Sequence, residues 1–235
     1  MGEIARPQVV AHRGASSAFA ENTVAAFRGA VTLGADGVEL DVRRCADGTL
    51  AVHHDPVLAA SGVALAALSG PELPEEVPDL ATALAASEPL WVNVEIKHGH
   101  DEPGYDPSHR VADDVAAVLA AAGPADRFLV SSFDPAVLDR FRAVAPAVAT
   151  GLLVFDLRHP ADVVAQAVAG GHTALHPWEH MVDAEVVGRA HDAGLAVNVW
   201  TVDDPDRMRE LAAIGVDAVI TNVPDVALAA LGSGP

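Results

Sequence analysis

Short β-branched runs return at nearly even spacing along the 235-residue chain, and Ala/Leu-rich stretches of helical period separate most of them. The runs fall at residues 8–11, 37–42, 90–96, 128–132, 150–155, 173–176, 196–201 and 218–221. The helical stretches cover residues 23–33, 111–121, 135–144, 161–169, 183–192, 205–213 and 225–231. Gly34, Gly123, Gly194 and Gly215 stand where helices should stop, and Asn22, Asp134 and Asp204 where N-caps belong. Eight strand–helix alternations in so short a chain describe a compact (β/α)8 TIM barrel. An open doubly wound sheet is the competing arrangement, but the Gly-rich dinucleotide turn it usually carries is missing. With no linker and no low-complexity tail, residues 1–235 are expected to form a single domain with a short segment after the second strand.

Residues two apart share a face of a strand. Val38, Leu40 and Val42 therefore take one face of the second strand, and Glu39 and Asp41 the other. In the third, Val92, Val94 and Ile96 oppose Asn93, Glu95 and Lys97. Barrel strands are covered on both sides, so these charges are expected to be buried, at several kcal/mol for each unpaired ion. One lysine cannot neutralise three carboxylates, which favours a bound cation over a simple ion pair. Hard oxygen donors favour Mg²⁺ or Ca²⁺, with Mn²⁺ as a third option, and argue against zinc.

Composition narrows the partners. The balance of 33 acids to 14 Lys and Arg, net −19, disfavours nucleic acid and stable membrane association. No apolar run is long enough to span a bilayer and the opening residues lack a signal peptide's pattern, so a cytoplasmic location is expected. A single cysteine, Cys45, excludes an intramolecular disulfide. Two scarcities point to specific jobs: Lys97 is the only lysine, and Asn22, Asn93, Asn198 and Asn222 are the only asparagines.

The first strand ends in His12-Arg13-Gly14, at the rim where barrel active sites sit. Arg13 offers a planar fork to phosphate and His12 a group that titrates near neutrality. Asp47-Gly48 reads as a hairpin turn whose return brings His53, His54 and Asp55 to the same rim. Two histidines beside a cation site suggest an acid and a base.

An ordered series of motifs now stands out: His12-Arg13-Gly14, Glu21-Asn22-Thr23, Gly34-Ala35-Asp36, Glu39-x-Asp41, Asp47-Gly48 and His54-Asp55. It resembles the opening signature of the glycerophosphodiester phosphodiesterase family. The likeness continues through Glu95 and Lys97, Ser131-Ser132-Phe133, Trp200-Thr201-Val202 and Gly215-Val216-Asp217-Ala218. The resemblance implies a (β/α)8 barrel that uses one divalent cation to hydrolyse a small-molecule glycerophosphodiester to glycerol 3-phosphate and an alcohol. It implies His12 and His54 as the catalytic pair and Glu39, Asp41 and Glu95 as metal ligands. Arg13 and Lys97 fall where the family grips phosphate, and Trp200 where it places an aromatic against the substrate. Glu21 is expected as an acceptor one layer behind the ligands, Asn22 as the cap of the next helix, and Asn198, which shares a face with Trp200, as a supporting residue.

Several positions depart from the family pattern. Ala20 replaces a usual proline, Cys45 a usual threonine and Asn222 a common aspartate. Residues 56–78 are shorter than the family's usual insertion and contain no arginine. The loop carrying His98, His100, Asp101, Glu102, Tyr105 and His109 either fills that space or is solvated. His159, His172, His180 and His191 read as surface residues, His53 as structural, and His176 as ambiguous. Two rival functions remain: a related barrel acting on lysophospholipid or sphingolipid head groups, which would want an exposed apolar rim, and a catalytically dead phosphate-binding barrel.

Overall fold

The computed structural model describes residues 6–232. In chain order the strands are β1 (Gln8–His12), β2 (Gly37–Arg44), β3 (Leu50–Val52), β4 (Trp91–Ile96), β5 (Phe128–Ser132), β6 (Ala149–Val154), β7 (Ala174–Pro177), β8 (Ala196–Val199) and β9 (Ala218–Thr221). The helices are α1 (Val24–Leu33), α2 (Leu80–Ala86), α3 (Arg110–Ala122), α4 (Pro135–Val144), α5 (Pro160–Ala169), α6 (Ala184–Asp192), α7 (Pro205–Ala213) and α8 (Pro224–Leu231). All strands but β3 run parallel, and β1 pairs with both β9 and β2, which closes the sheet into an eight-stranded barrel. Helices cover the outside, giving the TIM-barrel architecture expected from the sequence. No helix among the described residues is long and apolar enough to cross a membrane.

The period-two pattern explains which way each side chain turns. Val38, Leu40, Val42, Val92, Val94 and Ile96 join the main core between strands and helices. Phe27 and Phe141 are fully buried there, worth about 1.5–3 kcal/mol each. The opposite face lines the lumen, where Val10, Ala218 and Ile220 form a small cluster against Trp91 and Trp200. Above it the lumen is polar. The register sets His12 opposite Glu39 and Asp41 opposite Glu95, so four titratable groups meet at the C-terminal ends of adjacent strands.

β3 lies outside the barrel. It runs antiparallel to the end of β2, pairing Val42 with Val52 and Arg44 with Leu50, as the Asp47-Gly48 turn requires. Gly48 sits at φ 93, a conformation open to glycine at little cost. The short segment that follows packs Leu58 and Leu65 on Cys45 and Ala51 in a small satellite core.

The structure departs from the sequence reading in three places. The period does not reveal α2, whose seven residues make barely two turns; Asp79 starts it by accepting from Thr82 N at 2.7 Å. Asn22 does not cap α1. The Thr23 hydroxyl does so, accepting from Ala26 N at 3.2 Å, while Asn22 turns inward with φ 57. His172 is buried rather than on the surface, with Nδ1 3.0 Å from the Thr150 hydroxyl.

His176 is also buried, inside the lumen, and accepts at Nε2 from Asn198 Nδ2 at 2.9 Å. A side chain at Gly151 would put its Cβ 2.6 Å from that ring, so the glycine makes the room. Burial pushes the His176 pKa down from 6.5 to about 3. Between those values the unfolded chain binds a proton that the folded chain refuses, so stability falls as pH drops below about 6.5. At pH 5 the loss amounts to about 2 kcal/mol. Urea denaturation of wild type and His176→Gln at pH 7.5 and pH 5 should show the gap moving by about that amount in the variant's favour. A gap independent of pH would show that His176 is not held neutral by burial.

Candidate active site

Three acids converge in the lumen mouth. Glu39 and Asp41 from β2 and Glu95 from β4 are all buried, and each offers a carboxylate oxygen within 4.8 Å of the others. Lys97, just past β4, reaches Glu95 Oε1 at 2.6 Å and Asp41 Oδ1 at 3.1 Å. Arg13, just past β1, brings Nε to 3.2 Å from Asp41 Oδ2 and Nη1 to 2.9 Å from Glu21. Its backbone N–H donates to Glu39 Oε2 at 3.0 Å. Asn22 Nδ2 donates to Asp41 at 2.8 Å, so the inward asparagine holds an acid rather than a helix end.

The cluster is short of positive charge. Four carboxylates, counting Glu21, face two cations, Arg13 and Lys97. Burial pushes Glu39 up to about 8, with Asp41 adding to the rise. Burial likewise lifts Glu95 to about 7 despite Lys97. At Asp41 burial pulls upward too, but Lys97 and Arg13 outweigh it and hold the group below the usual carboxylate range. Glu39 Oε1, Asp41 Oδ1 and Glu95 Oε1 are buried without a hydrogen bond, the last two meeting only the Lys97 ammonium. Orphaned carboxylate oxygens, with a net charge of −2 when all four acids are ionised, suit a divalent cation bound through hard oxygens.

Two histidines flank the acids. His12, at the end of β1, points Nε2 toward Glu39 Oε2 at 3.8 Å. Its Nδ1 is 2.7 Å from Asn222 Oδ1. The Asn222 amide is itself clamped: its Nδ2 donates to Asp203 at 2.7 Å, and Asp203 also accepts from the Asn222 backbone at 2.8 Å and from the Thr221 hydroxyl at 3.0 Å. A carboxylate only accepts, so the amide N faces Asp203 and its O faces His12, which puts the neutral ring's proton on Nδ1. His54, just past β3, sets Nδ1 2.7 Å from the Asp55 carboxylate. Arg43 Nε donates to the His54 carbonyl at 2.7 Å and its guanidinium grips Glu102 at 2.8 Å. Burial lowers both imidazoles, helped by Arg13 at His12 and by Lys97 at His54.

A cavity of about 260 Å³ connects these groups. His12, Arg13, Glu39, His54, Glu95 and Lys97 line one side, and Phe133, Phe155 and Trp200 the other. The aromatic side continues to Trp178, stacked on Phe155 at 4.7 Å, while Phe133 meets Trp200 edge-on at 5.5 Å. Phe133 is 45% exposed and Phe155 59%, so the rim is openly apolar, which the strand patterns alone do not reveal. Asn198 does not reach the cavity. It lies deeper, on His176, while Trp200 above it donates to the His176 carbonyl at 2.7 Å. His53 turns to the Asp55 carbonyl at 2.9 Å, away from the acids. Asp203 is the participant the sequence reading missed; only the scarcity of asparagine, which flagged Asn222, pointed toward it.

Comparison with known proteins gives the same direction throughout. Residues 12–226 match the model of the glycerophosphoryl diester phosphodiesterase family. A glycerophosphodiester phosphodiesterase of Caldanaerobacter subterraneus subsp. tengcongensis is 30% identical over 92% of this chain and 94% of its own length. An Oleispira antarctica phosphodiesterase, solved with its product sn-glycerol-3-phosphate, superposes with a TM-score of 0.87 at 25% identity, covering 96% of each chain. A Thermotoga maritima glycerophosphodiester phosphodiesterase superposes at 0.79 with 28% identity, covering 95% of this chain and 97% of that one. By its matched span, its relatives and its barrel, the chain belongs to the glycerophosphoryl diester phosphodiesterase family.

Proposed function

We propose that this chain, acting as one domain, hydrolyses glycerophosphodiesters to sn-glycerol 3-phosphate and an alcohol, with His12 and His54 moving the protons. The observation that carries the reading is the charge-deficient set Glu39, Asp41 and Glu95 between two histidines and two cations. The product bound by the Oleispira relative supports the glycerol 3-phosphate half. Glu39, Asp41 and Glu95 would hold one divalent cation, Mg²⁺ or Ca²⁺ by donor type with Mn²⁺ as the third option, and the cation supplies charge balance and polarisation of a phosphate oxygen.

Arg13 and Lys97 are anchored by carboxylates on one side and present donors to the phosphate on the other, where negative charge grows in the transition state. His12 serves as base. Its Nδ1 proton is committed to Asn222, which leaves the Nε2 lone pair facing the cavity, and a neutral amide behind the ring does little to favour the imidazolium. His54 serves as acid, because the Asp55 carboxylate behind it stabilises the protonated ring. Lys97 and Arg13 oppose that protonation until an anionic phosphate arrives between them. His54 thus gains its proton in step with substrate binding.

A second reading is favoured by the aromatic rim. Exposed Phe133 and Phe155 suit the acyl chain of a lysophospholipid, so the alcohol arm extends from small head groups toward amphiphiles. A catalytically dead barrel is disfavoured, because each acid, histidine and cation of the set is present and converges.

Three outcomes test the reading. Metal-stripped protein should release no glycerol 3-phosphate from glycerophosphocholine and should regain activity with Mg²⁺, Ca²⁺ or Mn²⁺, and Glu39→Gln should copy the loss; full turnover in excess chelator would refute the cation's role. Lys97→Arg should cost at least about tenfold in rate, roughly 1.4 kcal/mol, because a planar guanidinium cannot reproduce the ammonium's short contacts to both Asp41 and Glu95. Wild-type turnover in that variant would make the lysine incidental. The histidines separate by leaving group: His54→Ala should be severely slow on glycerophosphocholine yet recover on a p-nitrophenyl phosphodiester, whereas His12→Ala stays slow on both. The reverse pattern would exchange their roles, and near-wild-type rates on glycerophosphocholine in both variants would end the two-histidine mechanism.

A further inference from the structure

A second group of metal-ligand type stands apart from the carboxylate triad. His98 follows β4, His109 precedes α3 and Asp134 precedes α4, and each offers a ligand atom within 4.8 Å of the others. His98 Nδ1 lies 2.7 Å from Asp134 Oδ2. The far side of each of these two residues is already committed. His98 Nε2 donates to the Asp106 carbonyl at 2.9 Å, and Nδ1 faces a carboxylate that also only accepts, so without a metal the ring shares a second proton with Asp134 and Nδ1 is the nitrogen a metal would take in that proton's place. Asp134 Oδ1 accepts from Ala136 N at 2.9 Å, which fixes the carboxylate's rotation. His109 brings a buried Nδ1 with no hydrogen-bond partner, and its side chain does not cap the helix it precedes.

We propose that His98, His109 and Asp134 form a zinc-class site, distinct from the Glu39–Asp41–Glu95 set. Two imidazoles and one carboxylate are a borderline donor set suited to Zn²⁺, whereas Mg²⁺ and Ca²⁺ want oxygens alone. The outer contacts are those that orient metal-ligating side chains: an imidazole N–H donating to a carbonyl, and a carboxylate held by a backbone N–H. Tetrahedral ligation at about 2.0–2.1 Å separates ligand atoms by about 3.3 Å, so the His98–Asp134 contact opens by a fraction of an ångström while the wider pairs close. The ion replaces the proton shared by Nδ1 and Oδ2, and the fourth position is left to water. The positive end of α4 opposes a cation, but the Asp134 carboxylate stands between them. Bound there, the ion ties the β4–α3 loop to the β5–α4 corner. That loop also carries Glu102, which holds Arg43 against the His54 carbonyl.

Cobalt is the direct probe, since Co²⁺ takes zinc's geometry and is visible. Metal-stripped protein is first saturated with Mg²⁺, then titrated with Co²⁺ and back-titrated with Zn²⁺. One equivalent of Co²⁺ with tetrahedral visible bands, displaced by Zn²⁺ and unaffected by Glu39→Gln, is the expected result. His109→Ala and, separately, His98→Gln should weaken that site by at least about tenfold, with circular dichroism confirming that each variant is folded. Absence of a Mg²⁺-resistant equivalent in wild type, wild-type affinity in either folded variant, or loss of the bands in Glu39→Gln would each overturn the proposal. None of these readouts depends on turnover, so the site and the proposed hydrolysis stand or fall separately.

Discussion

The lumen of this barrel holds more carboxylate than its cations can balance, and much of the site's design follows from that shortage. Glu39, Asp41 and Glu95 could have been solvated on a loop at no cost. Placed on adjacent strands they are buried, and burial lifts Glu39 and Glu95 far above the ordinary carboxylate range. The neighbours read as responses to this strain. Lys97 bridges two acids, Arg13 pins a third contact and Asn22 gives up its place as a helix cap to donate to Asp41. Without a bound cation, such a site balances its charge by holding protons on Glu39 and Glu95, protons that a divalent metal would displace.

The mouth of the barrel is divided by chain order. Charged and titratable groups come from the ends of β1 to β4, and the aromatic wall from the ends of β5 to β8. A phosphodiester is itself divided in this way, with a compact anion and an organic arm. A rigid cylinder that presents two chemistries on facing arcs orients such a molecule before any side chain moves, which is a contribution to rate through positioning.

Much of this was legible in the residues. Alternation alone puts Glu39 and Asp41 on one face of their strand and Glu95 and Lys97 on one face of the next, and the single lysine and four asparagines mark positions that prove to be buried or clamped. What escaped the reading shares a physical cause. The aromatic rim is assembled from four separate strand ends, and a pattern read one strand at a time cannot see that they adjoin. Asp203 acts through Asn222, across a distance in sequence that no local period spans. Asn22 reads as a cap because a short polar residue before a helix suits either a cap or an inward hydrogen bond, and only the register of β2 decides between them. Two turns of α2 are too few for periodicity to register at all.

The two histidines are mounted differently. His12 ends a strand hydrogen-bonded on both sides within the closed barrel, so its position is fixed by the same ladder that holds the cylinder together. His54 follows the return strand of a hairpin arm, at the end that rejoins the barrel rim; that strand's ladder is the three residues of β3, and Arg43 steadies the position from behind. One of the two proposed proton-transfer groups therefore belongs to the frame and the other to an appendage. A change in the length or composition of the segment after His54 can alter what the mouth admits, or how tightly that arm closes, without disturbing the frame. Variation among barrels of this design should then accumulate on the hairpin side, and the wall carrying His12 should tolerate little.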